Sequence, residues 1–268
     1  MGYKLLVLDL DGTLTNSNKQ ITPHTLETLK RAQEKGIKIV LASGRPTYGV
    51  APIADKIQLD KYEGYILSYN GGEITDWHNK ELLYKNTLNP EVFPYLYQCA
   101  KNNNFAIVTY HKEFVITENP EDEYVQKEAL LNVMTLKKVD NFLQAIQFPI
   151  AKCMIVGEPS RLMNLEKEMY AHLKEQMGVY RSEPYFLELV PKGIDKAQSL
   201  AYLLKKLDIS REEMIACGDG FNDLSMIKYA GLGVAMQNAQ EIVREHADYI
   251  TRSNDNDGVA HVIEEFIL

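Results

Sequence analysis

Two clusters of aspartate stand far apart in the chain. Asp9-Leu10-Asp11-Gly12-Thr13 lies near its start, and Gly218-Asp219-Gly220-Phe221-Asn222-Asp223 lies in its last quarter. Brought together, Asp9, Asp11, Asp219 and Asp223 would put four carboxylates in one place. Unbalanced, such groups repel and some stay protonated. A hard dication resolves the conflict, and oxygen-only ligation favours Mg2+ over Zn2+. Mg2+ commonly completes its shell with waters and phosphate oxygens. Ser43, Lys196 and the backbone N–H groups beside Leu10 and Gly44 are candidates to hold a phosphate. Acidic cluster, dication and phosphate donors together describe phosphoryl transfer.

These residues can meet only if the fold brings them together. Residues 3–8 are a continuous apolar run, too short for a helix, which reads as a strand buried on both faces of a parallel sheet. Residues 37–42 read the same way and end at Ser43-Gly44-Arg45-Pro46. Residues 64–68 end at Asn70-Gly71-Gly72, and 214–217 end at the second aspartate cluster. Thr22-Pro23 predicts a helix start, with Leu26, Leu29 and Ala32 on one face and Gly36 as terminator. Further helices are expected over 195–207, near 238–246 and over 259–268, with strands at 233–236 and 248–251. Strands alternating with helices imply a parallel sheet with helical crossovers. Ligands of such sheets bind outside the carboxyl ends of the strands, so the clusters should converge on one edge.

The middle of the chain has another rhythm. Hairpins are signalled around Trp77-His78-Asn79 and His111-Lys112-Glu113, helices near 121–132 and 159–176, and a strand at 151–156. The expected fold class is therefore α/β, a Rossmann-like parallel-sheet core formed by 1–82 and 186–268 with an inserted α+β domain at 83–185.

Composition narrows the function. The formal net charge is −8, which speaks against nucleic-acid or acidic-membrane partners. No apolar run approaches the roughly 18 residues of a membrane span. The run 5–8, broken at Asp9, is too short for a signal-peptide core. Three cysteines with no CxxC spacing fit a reducing, cytoplasmic setting. GxxxxGK[ST], HExxH and GxSxG are absent, and no histidines pair at i,i+4.

Four motifs in order carry a family resemblance: DLDGTL at 9–14, ASGRP at 42–46, the lysine of PKGIDK at 191–196, and GDGFNDLSM at 218–226. With them the chain resembles haloacid dehalogenase (HAD) superfamily phosphatases of the Cof-like subfamily, which carry a class IIB cap where this chain has its insert. The resemblance implies Asp9 as the nucleophile that forms an aspartyl-phosphate, and Asp11 as acid and then base. The Asp11 carbonyl would ligate Mg2+, leaving its carboxyl for proton work. Asp219 would bind Mg2+ directly, and Asp223 directly or through water. Asn222 would orient phosphate or nucleophile, while Ser43 and Lys196 would hold phosphate oxygens. Ala197 stands where the subfamily often has glycine, a change that a helix tolerates.

Several positions keep two readings. Asp223 could instead be a first-turn acid on a helix, and Lys192 rivals Lys196 as the phosphate-binding ammonium. Arg45 could contact substrate or simply pair with an acid, and Asn70 could contact substrate or only shape a turn. Cys217 reads as core. The expected activity is Mg2+-dependent hydrolysis of a small phosphomonoester, a sugar phosphate or similar metabolite. The alternatives are phosphohexomutase-type transfer on the same fold, and a phosphatase of flavin mononucleotide or pyridoxal phosphate. A metabolite binder is disfavoured by the intact Asp9 and Asp11.

Overall fold

The structure is a computed structural model and describes residues 2–268. In chain order it begins with β1 (Leu5–Leu8), α1 (Pro23–Glu34), β2 (Lys38–Ala42), α2 (Thr47–Lys56), β3 (Tyr65–Ser68), β4 (Glu73–Asp76) and β5 (Glu81–Lys85). There follow α3 (Phe93–Asn102), β6 (Ala106–His111), β7 (Phe114–Thr117), α4 (Glu123–Leu131), β8 (Thr135–Lys138), α5 (Phe142–Ala145), β9 (Cys153–Val156), α6 (Pro159–Leu173), β10 (Met177–Glu183) and β11 (Phe186–Pro191). The chain closes with α7 (Lys196–Leu207), β12 (Met214–Gly218), α8 (Leu224–Tyr229), β13 (Leu232–Ala235), α9 (Glu241–Arg244), β14 (Tyr249–Ile250) and α10 (Gly258–Phe266).

Two compact units result. The first comprises Met1–Arg45, Val50–Tyr84 and Asp195–Leu268, and the second comprises Pro46–Gly49 and Lys85–Ile194. In the first unit the strand order is β14-β13-β12-β1-β2-β3-β4-β5, parallel from β14 through β3, with β4 antiparallel to β3. Alternate side chains of β1 explain its unbroken apolar run. Leu6 and Leu8 join a core with Ile39, Leu41 and Ile66 on one face, while Leu5 and Val7 join Val40, Ala42 and Leu67 on the other. Both faces are thus buried, and no polar residue is tolerated until the strand ends at Asp9.

The second unit has the strand order β10-β11-β9-β6-β7-β8 and is antiparallel except where β7 runs parallel to β8. Its hydrophobic core lies on one sheet face, where Ile107, Cys153, Ile155, Leu187 and Leu189 meet Leu96, Leu162 and Met169.

The return boundary at 186 needs correction. β11 pairs antiparallel with both β10 and β9, so 186–194 belong to the second unit and the first resumes at Asp195. Pro184 and Tyr185 are the turn of the β10–β11 hairpin and not a link between units. At the other end, 83 and 84 stay with the first unit. The helix expected over 238–246 shrinks to α9, because the segment before it is a turn. The Gln240 amide donates to the Asp219 carbonyl at 3.0 Å and the Ala239 amide to Met236 at 2.9 Å. Helices α2 and α3 and strands β8 and β10 were not read from the sequence.

Candidate active site

The first unit's parallel sheet ends in polar residues at four places. Asp9 follows β1, Ser43 follows β2, Asn70 lies just past β3 and Asp219 follows β12. These are the carboxyl ends of adjacent strands, so the expected convergence is what the topology produces.

Lys196 is the hub. Its Nζ donates to Asp9 Oδ1 at 2.8 Å, to Asp223 Oδ1 at 2.6 Å and to the Ala42 carbonyl at 2.8 Å, and the residue is 1% exposed. The ammonium has three N–H groups, and each already has an oxygen. A phosphate contact by Lys196 would require giving one of these up. The lysine is placed by Asp195, which caps α7 by accepting from the Ala197 and Gln198 amides. Burial alone would pull the Lys196 ammonium down, but Asp223 and Asp9 outweigh it and hold it above its ordinary value. Lys192, its rival, sits in the second unit with its Nζ on Glu175 at 2.9 and 3.0 Å.

Asp223 does two jobs. Its other oxygen accepts from the Asp219 and Gly220 amides at 3.0 and 2.9 Å, which folds the loop back on itself. Asp219 in turn accepts from the Thr13 hydroxyl at 2.8 Å. Gly12 makes this approach possible. It has φ +90°, and a Cβ there would lie 2.4 Å from an Asp219 oxygen. Thr13 was overlooked as a site residue, although the DGT run contains it.

Asp9, Asp219 and Asp223 each offer a carboxylate oxygen, and these oxygens lie within 4.8 Å of one another. Three carboxylates face one ammonium. Burial first, and then repulsion from Asp223, push Asp9 well above the ordinary carboxylate range against the pull of Lys196. Burial, helped by the Asp223 charge and opposed by the Thr13 hydrogen bond, lifts Asp219 to about 6. An excess of negative charge on an all-oxygen donor set fits a hard cation.

Asp11 stands outside this triad. Its carboxylate accepts from Arg45 Nε and Nη2 at 2.8 and 2.7 Å and from Lys19 Nζ at 2.8 Å. That leaves only its carbonyl for the cation contact implied by the resemblance. Burial would raise the Asp11 carboxyl, but the two cations more than offset it and hold the group below its ordinary value. Arg45 therefore pairs with an acid, and Lys19, which sequence reasoning missed, joins it. Lys19 is presented by a turn in which it adopts φ +59°. No motif marks it.

Of the remaining candidates, Ser43 is buried and its hydroxyl accepts from the Arg45 amide at 3.2 Å. Asn222 Nδ2 donates to Asn70 Oδ1 at 3.0 Å, and the Asn70 side chain lies against Gly44. Leu10 is fully buried, and its carbonyl accepts from the amide and hydroxyl of Thr15, both at 2.9 Å. Cys217 is core, and burial pushes its thiol to about 12.

Comparison with known proteins gives the family. Residues 6–263 match the haloacid dehalogenase-like hydrolase family, and the chain belongs to it. A solved haloacid dehalogenase-like hydrolase from Bacteroides thetaiotaomicron is 57% identical, with a TM-score of 0.96 over 98% of this chain and 99% of that one. The 5-amino-6-(5-phospho-D-ribitylamino)uracil phosphatase YcsE of Bacillus subtilis (strain 168) is 32% identical over 99% of this chain and 96% of its own length. A solved sugar phosphatase of HAD subclass IIB is 25% identical, with a TM-score of 0.79 over 98% of each chain. The chain is thus a HAD-type hydrolase, of the class that acts on phosphoric monoesters. Among the described residues no helix is long and apolar enough to cross a membrane.

Proposed function

We propose that this protein is an Mg2+-dependent phosphatase that hydrolyses a small phosphorylated metabolite, of the sugar-phosphate kind, through an aspartyl-phosphate on Asp9. The observation that carries the reading is Asp9 at the end of a central strand, tied to a buried lysine and sharing an oxygen cluster with Asp219 and Asp223. Asp9, Asp219 and Asp223 would hold the cation, together with the Asp11 carbonyl. When bound, Mg2+ would offset the charge of the carboxylates and of the phosphate.

In the first step an Asp9 oxygen attacks phosphorus, and the bond from phosphorus to the leaving oxygen breaks. The leaving oxygen takes a proton from the Asp11 carboxyl, which must first exchange contacts with Arg45 and Lys19 for that proton. In the second step Asp11 accepts a proton from water as the water oxygen attacks the same phosphorus, which frees inorganic phosphate and restores Asp9. Asn222 and the Ser43 hydroxyl are assigned to orient phosphate. Lys196 fixes Asp9 in place and pulls it toward the ionised form, opposing the burial and the Asp223 charge that favour a proton, and the bound cation would add to that pull. Leaving-group selection is assigned to the second unit, as in the subfamily the sequence resembles. The sugar-phosphate class is favoured by the subclass IIB relative named for sugar phosphates and by a relative acting on a phosphorylated ribityl compound.

Asp9→Asn decides the central point. It should lose about a thousandfold or more in kcat, because the amide keeps the shape but cannot attack phosphorus. Parent enzyme quenched in acid during turnover of a 32P-labelled aryl phosphate should retain label on Asp9. Phosphate release should need Mg2+ and stop reversibly in EDTA. Activity of Asp9→Asn within tenfold of the parent would falsify the nucleophile assignment.

A further inference from the structure

The Asp11 loop is held from the far end of the chain. Asn238 Nδ2 donates to the Gly12 carbonyl at 2.8 Å. Asn238 Oδ1 accepts from the Asn254 amide at 3.0 Å, and Asn254 Nδ2 donates to the Thr15 carbonyl at 3.0 Å. Asp255 takes both the Ser17 amide, at 2.8 Å, and the Ser17 hydroxyl, at 2.7 Å. Within the loop, Asn16 Oδ1 accepts from the Asn18 and Gln20 amides, and the Lys19 amide donates to the Asn16 carbonyl at 2.8 Å. The result is a turn with Lys19 at its end and the Lys19 ammonium on Asp11.

These bonds are mostly at the surface, where each contributes little to folding. Their arrangement is informative. They engage the loop at three successive points and leave the Asp11 carboxylate to Lys19 and Arg45 alone. Rigid support behind a reacting group matters because small misplacements cost rate steeply.

We propose that Asn238, Asn254 and Asp255 form a clasp whose function is to position the Asp11–Lys19 loop for the reaction, so that Asp11 meets the leaving oxygen. They are positioning residues, and none of the three touches the Asp11 carboxylate, whose partners are Lys19 and Arg45. The inference rests on the acid role given to Asp11 above.

The test uses the full chain with saturating Mg2+ and two substrates. An alkyl phosphate needs its leaving oxygen protonated, whereas p-nitrophenyl phosphate hardly does. Asn238→Ala, Asn254→Ala and Asp255→Ala should each lower kcat/KM, which reads the steps up to departure of the leaving group, about tenfold on the alkyl phosphate and about twofold or less on the aryl phosphate. Inhibition by inorganic phosphate and the melting temperature should stay close to the parent's. A merely structural clasp would lower the melting temperature and depress both substrates alike, and that result overturns the proposal. Should an asparagine variant fold poorly, Asp255→Ala, at an exposed side chain, reads the same bias. Asp11→Asn separates the two levels. Bias in Asp11→Asn but in none of the others overturns the clasp alone. No bias in kcat/KM even in Asp11→Asn overturns the acid role and the clasp with it.

Discussion

Each unit buries one lysine among carboxylates, and the two arrangements differ. In the first unit Lys196 binds Asp9 and Asp223 at 2.8 and 2.6 Å. In the second, Lys152 lies 3.4 Å from Glu188 Oε1 and over the Tyr110 ring, at 5.3 Å from its centroid. Glu128 is satisfied by neutral donors, with Tyr110 Oη at 2.6 Å and Asn132 Nδ2 at 2.8 Å on the same oxygen. Burial pushes the Glu128 carboxyl up, and Lys152 and Tyr110 oppose this without cancelling it. The first cluster is tight and its lysine has no N–H to spare. In the second the Lys152–Glu188 contact is longer, and in both clusters burial raises a carboxyl, Asp9 in the first and Glu128 in the second. A tight buried pair fixes the nucleophile's carboxyl in place and favours its ionised form. A longer contact constrains its carboxylate less.

The sharpest break in this comparison is Lys196→Met. Removing one partner of a buried ion pair costs about 3–5 kcal/mol, because the remaining charges stay buried without compensation. Here two carboxylates lose their partner at once. The variant should unfold at clearly lower temperature in EDTA and recover part of the loss in millimolar Mg2+, since a ligand that binds only the folded state stabilises it. Turnover should fall at least a hundredfold. Calorimetry in both buffers checks this, and a melting temperature equal to the parent's in EDTA would sink the account of Lys196 as the hub.

Lys152→Met should cost less, about 1–2 kcal/mol at neutral pH. Its contact with Glu188 is longer, and Glu128 binds a proton more readily in the fold than in the unfolded chain. Lowering the pH should shrink the deficit, because neutralised carboxyls no longer miss the ammonium. Urea unfolding at two pH values measures it. A cost equal to that of Lys196→Met would erase the distinction between the clusters.

How much of this was legible in sequence depends on how local the signal is. The strand at β1, the helix start at Thr22-Pro23 and the aspartates at strand ends are local patterns, and they fall where expected. The end of the insert was not legible. Phe186–Pro191 is apolar enough for a buried strand of either sheet, and only its partners β9 and β10 decide which. α2 was obscured by Gly49 and Pro52 inside it. Lys19 and the Asn238–Asn254 contacts join residues more than two hundred positions from the loop they hold, or lie in turns with no periodicity. Chemistry concentrated in short motifs could be read, and the side chains that hold those motifs from elsewhere could not.

The smallest expected effect is the most specific to the second cluster. Glu128 has a raised carboxyl in the fold, so the native state binds its proton more readily than the unfolded chain does. That stability is fully present at low pH and is lost as pH rises through the raised value. Above it, the ionised carboxylate is held in a buried site that prefers it neutral. Glu128→Gln makes the group permanently neutral and keeps an oxygen for the Tyr110 and Asn132 donors. The variant should therefore match the parent near pH 4 and gain on it as pH rises, ending a few degrees more stable at pH 8. Melting temperatures of both proteins across that range give the comparison directly. A variant that loses stability relative to the parent as pH rises would mean that the ionised Glu128 is the form the fold prefers, stabilised by Lys152.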